Sequence, residues 1–247
     1  MSFGSLLGDD DRWTRLAAEH DVRIFDVRKP PDEGSLRVGD GSVDDANADI
    51  VATLGTDCAV GKRTTTFSLY QAALDAGLNA GWVATGQTDI TLGAHAGVVI
   101  DRVPADFTAG VVEDLVESVA DDHDIVFVEG QASLTHRAYS SVTLGILHGS
   151  WPDAVVLADD PERTGRTHFD RFIVDGVKRE AALVEELSEA VVAGISTWGD
   201  PETERKRHDL PAANVYHDGG AETLLDTVRD VLGTDAGRIP GDEGDDR

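Results

Sequence analysis

Residues 49–54, Asp49-Ile50-Val51-Ala52-Thr53-Leu54, are too short an apolar run for a helix and lead directly into Gly55-Thr56-Asp57-Cys58-Ala59-Val60-Gly61-Lys62-Arg63-Thr64-Thr65. A helical pattern starts just past the lysine, so the order is strand, glycine-bearing loop, helix. Such a loop aims several backbone N–H groups at one point, and the helix behind it adds the positive end of its dipole. Phosphate oxygens are the natural occupant. The stretch approximates the Walker A pattern G-x-x-x-x-G-K-[ST], with Lys62 reaching the outer phosphates and a hydroxyl of the first helical turn holding Mg²⁺. Two departures matter: the first glycine of the pattern falls on Thr56, with Gly55 one place earlier, and Arg63 displaces the hydroxyl to Thr64 or Thr65. Thr64 is taken as the metal ligand. Cys58 is expected to contribute its backbone N–H rather than a nucleophilic thiolate.

From residue 49 onward, short apolar runs alternate with helical ones, as in a parallel sheet covered on both faces. The expected fold is α/β, a three-layer P-loop NTPase-like parallel sheet with helices on either side. Further strands are expected at 80–85, 124–129, 154–158, 191–196 and 214–216. Helices are expected at about 63–76, with Phe67, Tyr70 and Leu74 inward and Gly77 as its stop, at 107–120 with Val111, Leu115 and Val119 inward, and at 221–232. Ahead of the loop, residues 9–20 read as a short helix with Trp13, Leu16 and Ala17 on one face, 22–27 as a strand ended by Pro30-Pro31, and 32–47 as a connection. This divides the chain into an N-terminal appendage docking on the core (1–47), a P-loop α/β domain (48–235) and an acidic disordered tail (236–247).

Ligands of open α/β sheets lie beyond the carboxyl ends of the strands, which directs attention to three further segments. Gln87, Thr88 and Asp89 follow the second strand as candidate substrate or metal contacts, the alternative being a solvated turn. Residues 90–106 read as a flexible cover. Glu129 ends a buried strand and precedes Gly130, the position from which a phosphate-loop protein takes a second metal contact or a general base. Beyond it Ser133, His136 and Tyr139 gather polar groups, and His136 is either a general acid or base or simply a hydrogen-bonding side chain. Arg163, Arg166 and His168 lie past the 154–158 strand, where the arginines form either an anion site for a carboxylate or phosphate or ion pairs with neighbouring acids.

Charge narrows the partners. With 47 acidic residues against 21 basic ones the formal charge is −26 and the pI is near 4.4. Nucleic acid is excluded as a partner because no basic surface exists to release its counterions. Only Lys29, Lys62, Lys178 and Lys206 are lysines, and an acid-rich, lysine-poor chain points to a halophilic protein working in high intracellular salt, where screening removes self-repulsion. No apolar run approaches the ~20 residues that span a bilayer, and residues 1–10 lack the basic region of a secretion signal. A soluble, cytoplasmic protein with no membrane partner is expected, assembling as a homo-oligomer. The single cysteine rules out an intrachain disulfide.

The loop at 55–62 resembles that of dethiobiotin synthetase. Four motifs in order, G-T-D-C-A-V-G-K-x-T-T at 55–65, A-T-G-Q-T at 84–88, V-E-G-Q-x-S-L-x-H at 128–136 and A-Y-S-x-V-T-L-G-x-L-H-G at 138–149, more closely resemble a phosphate-loop family formerly without known function that includes D-glutamate N-acetyltransferases. That resemblance covers about residues 12–232. It implies acetyl transfer from acetyl-CoA to the amino group of an acidic D-amino acid, with Gly55 to Thr65 holding the CoA phosphates. Glu129 or His136 would deprotonate the amine and Arg163 or Arg166 would hold a substrate carboxylate, with Gln87, Thr88, Ser133, Tyr139 and His168 as further substrate contacts. Family members usually carry a Rossmann-like domain ahead of this region, which residues 1–47 do not provide. The likeness to dethiobiotin synthetase implies instead ATP–Mg²⁺-dependent activation of a carboxylate, through Lys62, Thr64 and Glu129. A nucleotide-binding module acting through a partner is the third reading.

Overall fold

The computed structural model describes residues 6–233; the tail expected at 236–247 lies outside them. In chain order the elements are α1 (Asp11–Glu19), β1 (Asp49–Gly55), α2 (Lys62–Asp75), β2 (Ala80–Ala84), α3 (Gln87–Leu92), β3 (Ala96–Gly97), α4 (Thr108–Ala120), β4 (Ile125–Glu129), α5 (Ser140–Ser150) and β5 (Ala154–Asp159). They continue with β6 (Gly165–Arg166), β7 (Phe169–Ile173), α6 (Val177–Leu187), β8 (Val191–Thr197), α7 (Pro201–His208), β9 (Ala212–Ala213) and α8 (Gly220–Leu232). Seven strands form one parallel sheet in the order β3-β2-β4-β1-β5-β8-β9, and β6 and β7 form a separate antiparallel hairpin.

The continuous apolar strands follow from helices on both faces. Along β1 the side chains alternate: Ile50, Ala52 and Leu54 enter a core with Val112 and Val116 of α4 and Ile146 of α5, while Val51 faces Leu69 of α2 and Leu224 and Val228 of α8. Helix α5 lies so close to the start of α4 that a Cβ at Gly149 would collide with the Ala109 carbonyl. At the other end of the sheet, Gly130 presses on the Thr53 carbonyl with no room for a side chain. This brings the loops after β1 and β4 together at the carboxyl edge.

Several expectations change. Residues 22–27 form no strand: no sheet edge is paired with them, Phe25 is 72% exposed, and the Asp26 carboxylate instead accepts the Leu7 and Gly8 N–H groups. Helix α1 forms, capped by Asp10, but none of its residues is buried. The connection is tied down, with Arg37 bonding Glu113 and Asp114 of α4. On α2 the buried face is Thr65, Thr66, Leu69, Ala72 and Ala73, not the expected one. Leu74 is exposed, and Phe67 and Tyr70 pack beside Trp82 at 5.2 and 5.6 Å. Leu115 is only half-buried, its inward place taken by Val112 and Val116. Residues 87–92 coil into α3, and 90–106 are no cover, because Val98, Val99, Ile100 and Val103 are core residues. The last strand is 212–213, since Asn214 turns the chain by accepting the Tyr216 N–H. No helix of the described residues is long and apolar enough to cross a membrane.

Candidate functional site

Strand β1 delivers Gly55 to the sheet edge, and the Thr56 N–H donates to the Ala158 carbonyl at 3.1 Å. The chain loops back and enters α2 through Gly61, whose φ of +101° is one that glycine adopts without penalty. Ala59 and Ala132 hold positive φ of 52° and 44° without being glycine. Strain of this kind collects at ligand sites, and both alanines line the same cleft, together with Cys58, Lys62, Thr64 and Glu129. Lys62 is 6% exposed, and burial lowers its ammonium to about 8. Its Nζ donates to the Asp57 carbonyl at 2.5 Å, a bond that an arriving phosphate can replace. The two threonines differ in their surroundings. Thr65 Oγ1 is paired with Ser196 Oγ at 2.7 Å, whereas Thr64 lines the cleft.

Opposite the loop stands Glu129, 4% exposed. Its Oε2 accepts the Thr85 N–H at 2.9 Å and its Oε1 accepts from Gln131 Nε2 at 3.2 Å. Burial raises its carboxyl, against the pull of the Thr85 N–H and of the Arg63 and Lys62 charges. Asp89 on α3 is fully buried and neither of its oxygens has a hydrogen-bond partner. The Arg63 Nε is 3.9 Å away. Burial, then the charge of Glu129, push Asp89 up to about 7. Two buried carboxylates, each within reach of the other's charge and one accepting no hydrogen bond, have the oxygen-only chemistry of a hard divalent cation site. Asp89, Glu129 and Thr64 are the residues that fit Mg²⁺.

On the other side of the loop Asp57, fully buried, ties the phosphate loop to the β6–β7 hairpin. Its Oδ2 accepts the Thr167 N–H at 2.8 Å and lies 3.5 Å from Arg163 Nη1. Burial raises Asp57, yet bonds from the Thr167 and Cys58 N–H groups and the nearby Arg166 outweigh it and hold the carboxyl low. Arg163 donates to the Cys58 and Ala59 carbonyls at 2.7 and 3.3 Å. Arg166 is itself buried and bonds Thr56 O, Ser133 Oγ, Ile173 O, Asp175 Oδ2 and the Thr135 hydroxyl. Both arginines are thus engaged by the protein, and Ser133 with them.

Asp57 Oδ1, Cys58 Sγ and a ring nitrogen of His136 lie within 4.8 Å of one another. His136 Nδ1 accepts the Ala138 N–H at 3.2 Å, which leaves the proton of the neutral ring on Nε2, 3.6 Å from Asp57 Oδ1. A ligating imidazole has the opposite arrangement, donating from its second nitrogen, so this trio fits a metal poorly. Burial lowers His136, the Asp57 charge opposing. The ring presents a donor, not a free lone pair, to the loop. Burial also pushes the Cys58 thiol up, in keeping with a backbone role.

Of the other expected contacts, Tyr139 stacks on His136 at 4.7 Å, Gln87 accepts from Arg28 Nη1 at 2.8 Å on the surface, and Thr88 and His168 are exposed. Two features escape the sequence reading. Glu180 of α6 holds the Leu134 and Thr135 N–H groups at 2.9 and 3.1 Å and so shapes the loop after β4. Trp198, after β8, lays its indole against Gly61 and meets Tyr216 at 6.2 Å, both rings being exposed. No pattern marks a carboxylate as an anchor for a segment 45 residues away, nor a lone aromatic as a loop neighbour.

The P-loop domain of a family described only as a domain of unknown function, DUF1611, matches residues 37–225. The chain belongs to that family. A relative from Tritonibacter scottomollicae named D-glutamate N-acetyltransferase is 40% identical over 228 residues, 86% of this chain and 65% of its own length. One of the same name from a Pseudoalteromonas species is 38% identical over 155 residues, 62% of this chain and 45% of its own. The chain therefore spans about half to two thirds of the curated relatives it matches. Among solved structures, a DUF1611 family protein from Anabaena variabilis superposes with a TM-score of 0.81 at 30% identity, over 92% of this chain and 69% of that one. A nucleotide-binding protein from Archaeoglobus fulgidus in complex with ADP, at TM-score 0.53, 15% identity and 79% and 93% coverage, shares the P-loop fold.

Proposed function

We propose, from membership of the DUF1611 P-loop family, that this chain is the phosphate-loop domain of an N-acetyltransferase acting on an acidic D-amino acid, with D-glutamate as substrate and acetyl-CoA as donor. The observation that carries the reading is 40% identity over 86% of the chain to a protein named for that reaction. The cleft supplies compatible chemistry. The loop N–H groups, Lys62 and Arg63 suit the CoA phosphates, and the exposed ring of Trp198 against Gly61, with Tyr216 next to it, suits its adenine. Glu129 is the group best suited to take a proton from the substrate ammonium, because burial raises its basicity and it lines the cleft. The freed amine attacks the thioester carbonyl, the C–S bond breaks, and the proton left on the new amide nitrogen passes to the departing CoA sulfur. His136, with its Nδ1 occupied by the Ala138 N–H, is given no role in proton transfer.

A second reading, ATP–Mg²⁺-dependent activation of a carboxylate, is favoured by one specific feature: Asp89, buried and without a donor beside Glu129. There Thr64, Asp89 and Glu129 would hold Mg²⁺, which would neutralise phosphate charge. The test is to incubate the chain in molar salt with D-glutamate and either acetyl-CoA or Mg·ATP, following free thiol and ADP. The acetyltransferase reading predicts stoichiometric CoA and N-acetyl-D-glutamate without ATP. ADP formed only when an acid is present would replace it with the second reading. Binding without turnover of either donor would leave a nucleotide-binding module.

A further inference from the structure

Arg137, in the loop between β4 and α5, and Arg171, on β7, converge on one ring: their guanidinium carbons stand 4.6 and 4.9 Å from the Phe172 centroid. Both are exposed. Two guanidinium cations on one phenyl ring both attract an anion placed between them. None of the described residues provides it: neither arginine has a carboxylate within ion-pair distance, although acids outnumber bases 47 to 21 in the chain. Asp170, next to Arg171 on the strand, makes no ion pair with either arginine, and Asp175 is paired with Arg166 at 2.8 Å. Guanidiniums stacked on a ring keep their N–H edges directed outward, the geometry for bidentate capture of a carboxylate.

The pair is joined to the phosphate loop. From His136, beside Asp57, a wall of rings runs through Tyr139 at 4.7 Å and Phe169 at 5.8 Å from Tyr139, to Phe172 at 5.7 Å from Phe169. Arg163 and Arg166, to which a substrate carboxylate is assigned by sequence alone, are consumed in tying the hairpin to the loop. We propose that Arg137 and Arg171, clasping Phe172, are the subsite that takes a carboxylate of the acidic substrate, the aromatic wall covering its methylene groups. This rests on the acetyltransferase reading for the identity of the substrate, and it sets the preference for an acidic side chain.

The test compares Arg137→Ala, Arg171→Ala and the corresponding lysine variants with Arg179→Ala, an exposed arginine elsewhere. Calorimetry measures D-glutamate and glutarate binding, and steady-state kinetics gives KM for each substrate, with melting temperature as the check on folding. Each alanine variant should raise the dissociation constants of both acids and the D-glutamate KM by about tenfold or more, leaving the acetyl-CoA KM unchanged, with lysine restoring only part. Unchanged dicarboxylate affinity, a loss confined to acetyl-CoA, or a wild-type chain that binds neither acid overturns the proposal. If the acids bind through these arginines but no acetyl group is transferred, the reaction reading fails and the subsite stands. If acetylation proceeds with unaltered D-glutamate KM in the variants, the reverse holds.

Discussion

Replacing Asp89 by asparagine isolates a buried carboxylate that accepts no hydrogen bond. Its carboxyl is raised from 3.8 to about 7 by burial and by Glu129, so between these values the folded chain binds a proton that the unfolded chain has released. The cost of this one group is therefore absent at low pH and grows as pH rises from about 4 through about 7. Integrating the linkage, the penalty from this one group is about 2 kcal/mol at pH 5 and about 4 kcal/mol at pH 8. The asparagine of the variant cannot ionise, and whatever its unbonded amide costs is the same at both pH values. The difference in stability between variant and wild type should thus move in favour of the variant by about 2–3 kcal/mol from pH 5 to pH 8, or roughly 5–10 °C in melting temperature for a chain of this size. Thermal melts of both proteins at the two pH values, in one buffer of constant ionic strength, read it directly. A difference that does not change with pH would refute the buried, uncompensated carboxylate. Millimolar Mg²⁺ at pH 8 supplies an independent arm, raising the melting temperature of the wild type but not of Asp89→Asn.

Lys62→Met should weaken acetyl-CoA and ATP binding at least about tenfold by calorimetry yet raise the melting temperature at pH 7, because burial lowers the lysine to about 8 and its charge is carried at a cost. Arg166→Met should destabilise by about 3–5 kcal/mol in urea titrations, since it strands Asp57 and the Thr56 carbonyl; a loss under about 1 kcal/mol would mean the hairpin is held elsewhere. With a formal charge of −26, melting temperature should rise steadily between about 0.1 and 1 M KCl as the Debye length falls from about 10 to 3 Å, and a flat response would remove the argument for adaptation to salt.

How much of this is legible in the sequence depends on the range of the forces involved. Strands β1, β4, β5 and β8 are buried on both faces and read as unbroken apolar runs, and the loop at 55–65 carries its chemistry within one short consecutive stretch. Local signals suffice there. Residues 22–27 alternate like a strand, but alternation says nothing about whether a sheet edge is available. Helix α5 is hidden because Gly145 and Gly149, which allow it to approach α4, look like breakers. The buried face of α2 is misleading because its inward side is Thr65, Thr66, Ala72 and Ala73 around Leu69, small residues under a sheet, while the larger Phe67 and Tyr70 serve its rim. The arginines are the clearest case: Arg163 and Arg166 have the expected position, but their partners at 56–59, 133, 135 and 175 are set by the fold alone.

The central claim is that the loop at 55–65 holds the phosphates of an acetyl donor. Titrating acetyl-CoA and Mg·ATP separately into the chain in molar KCl, each with wild type and Lys62→Met, tests it most directly. The account predicts that acetyl-CoA binds more tightly than Mg·ATP and that the lysine replacement removes this binding. Tight Mg·ATP binding without acetyl-CoA binding, or acetyl-CoA affinity indifferent to Lys62, would contradict it.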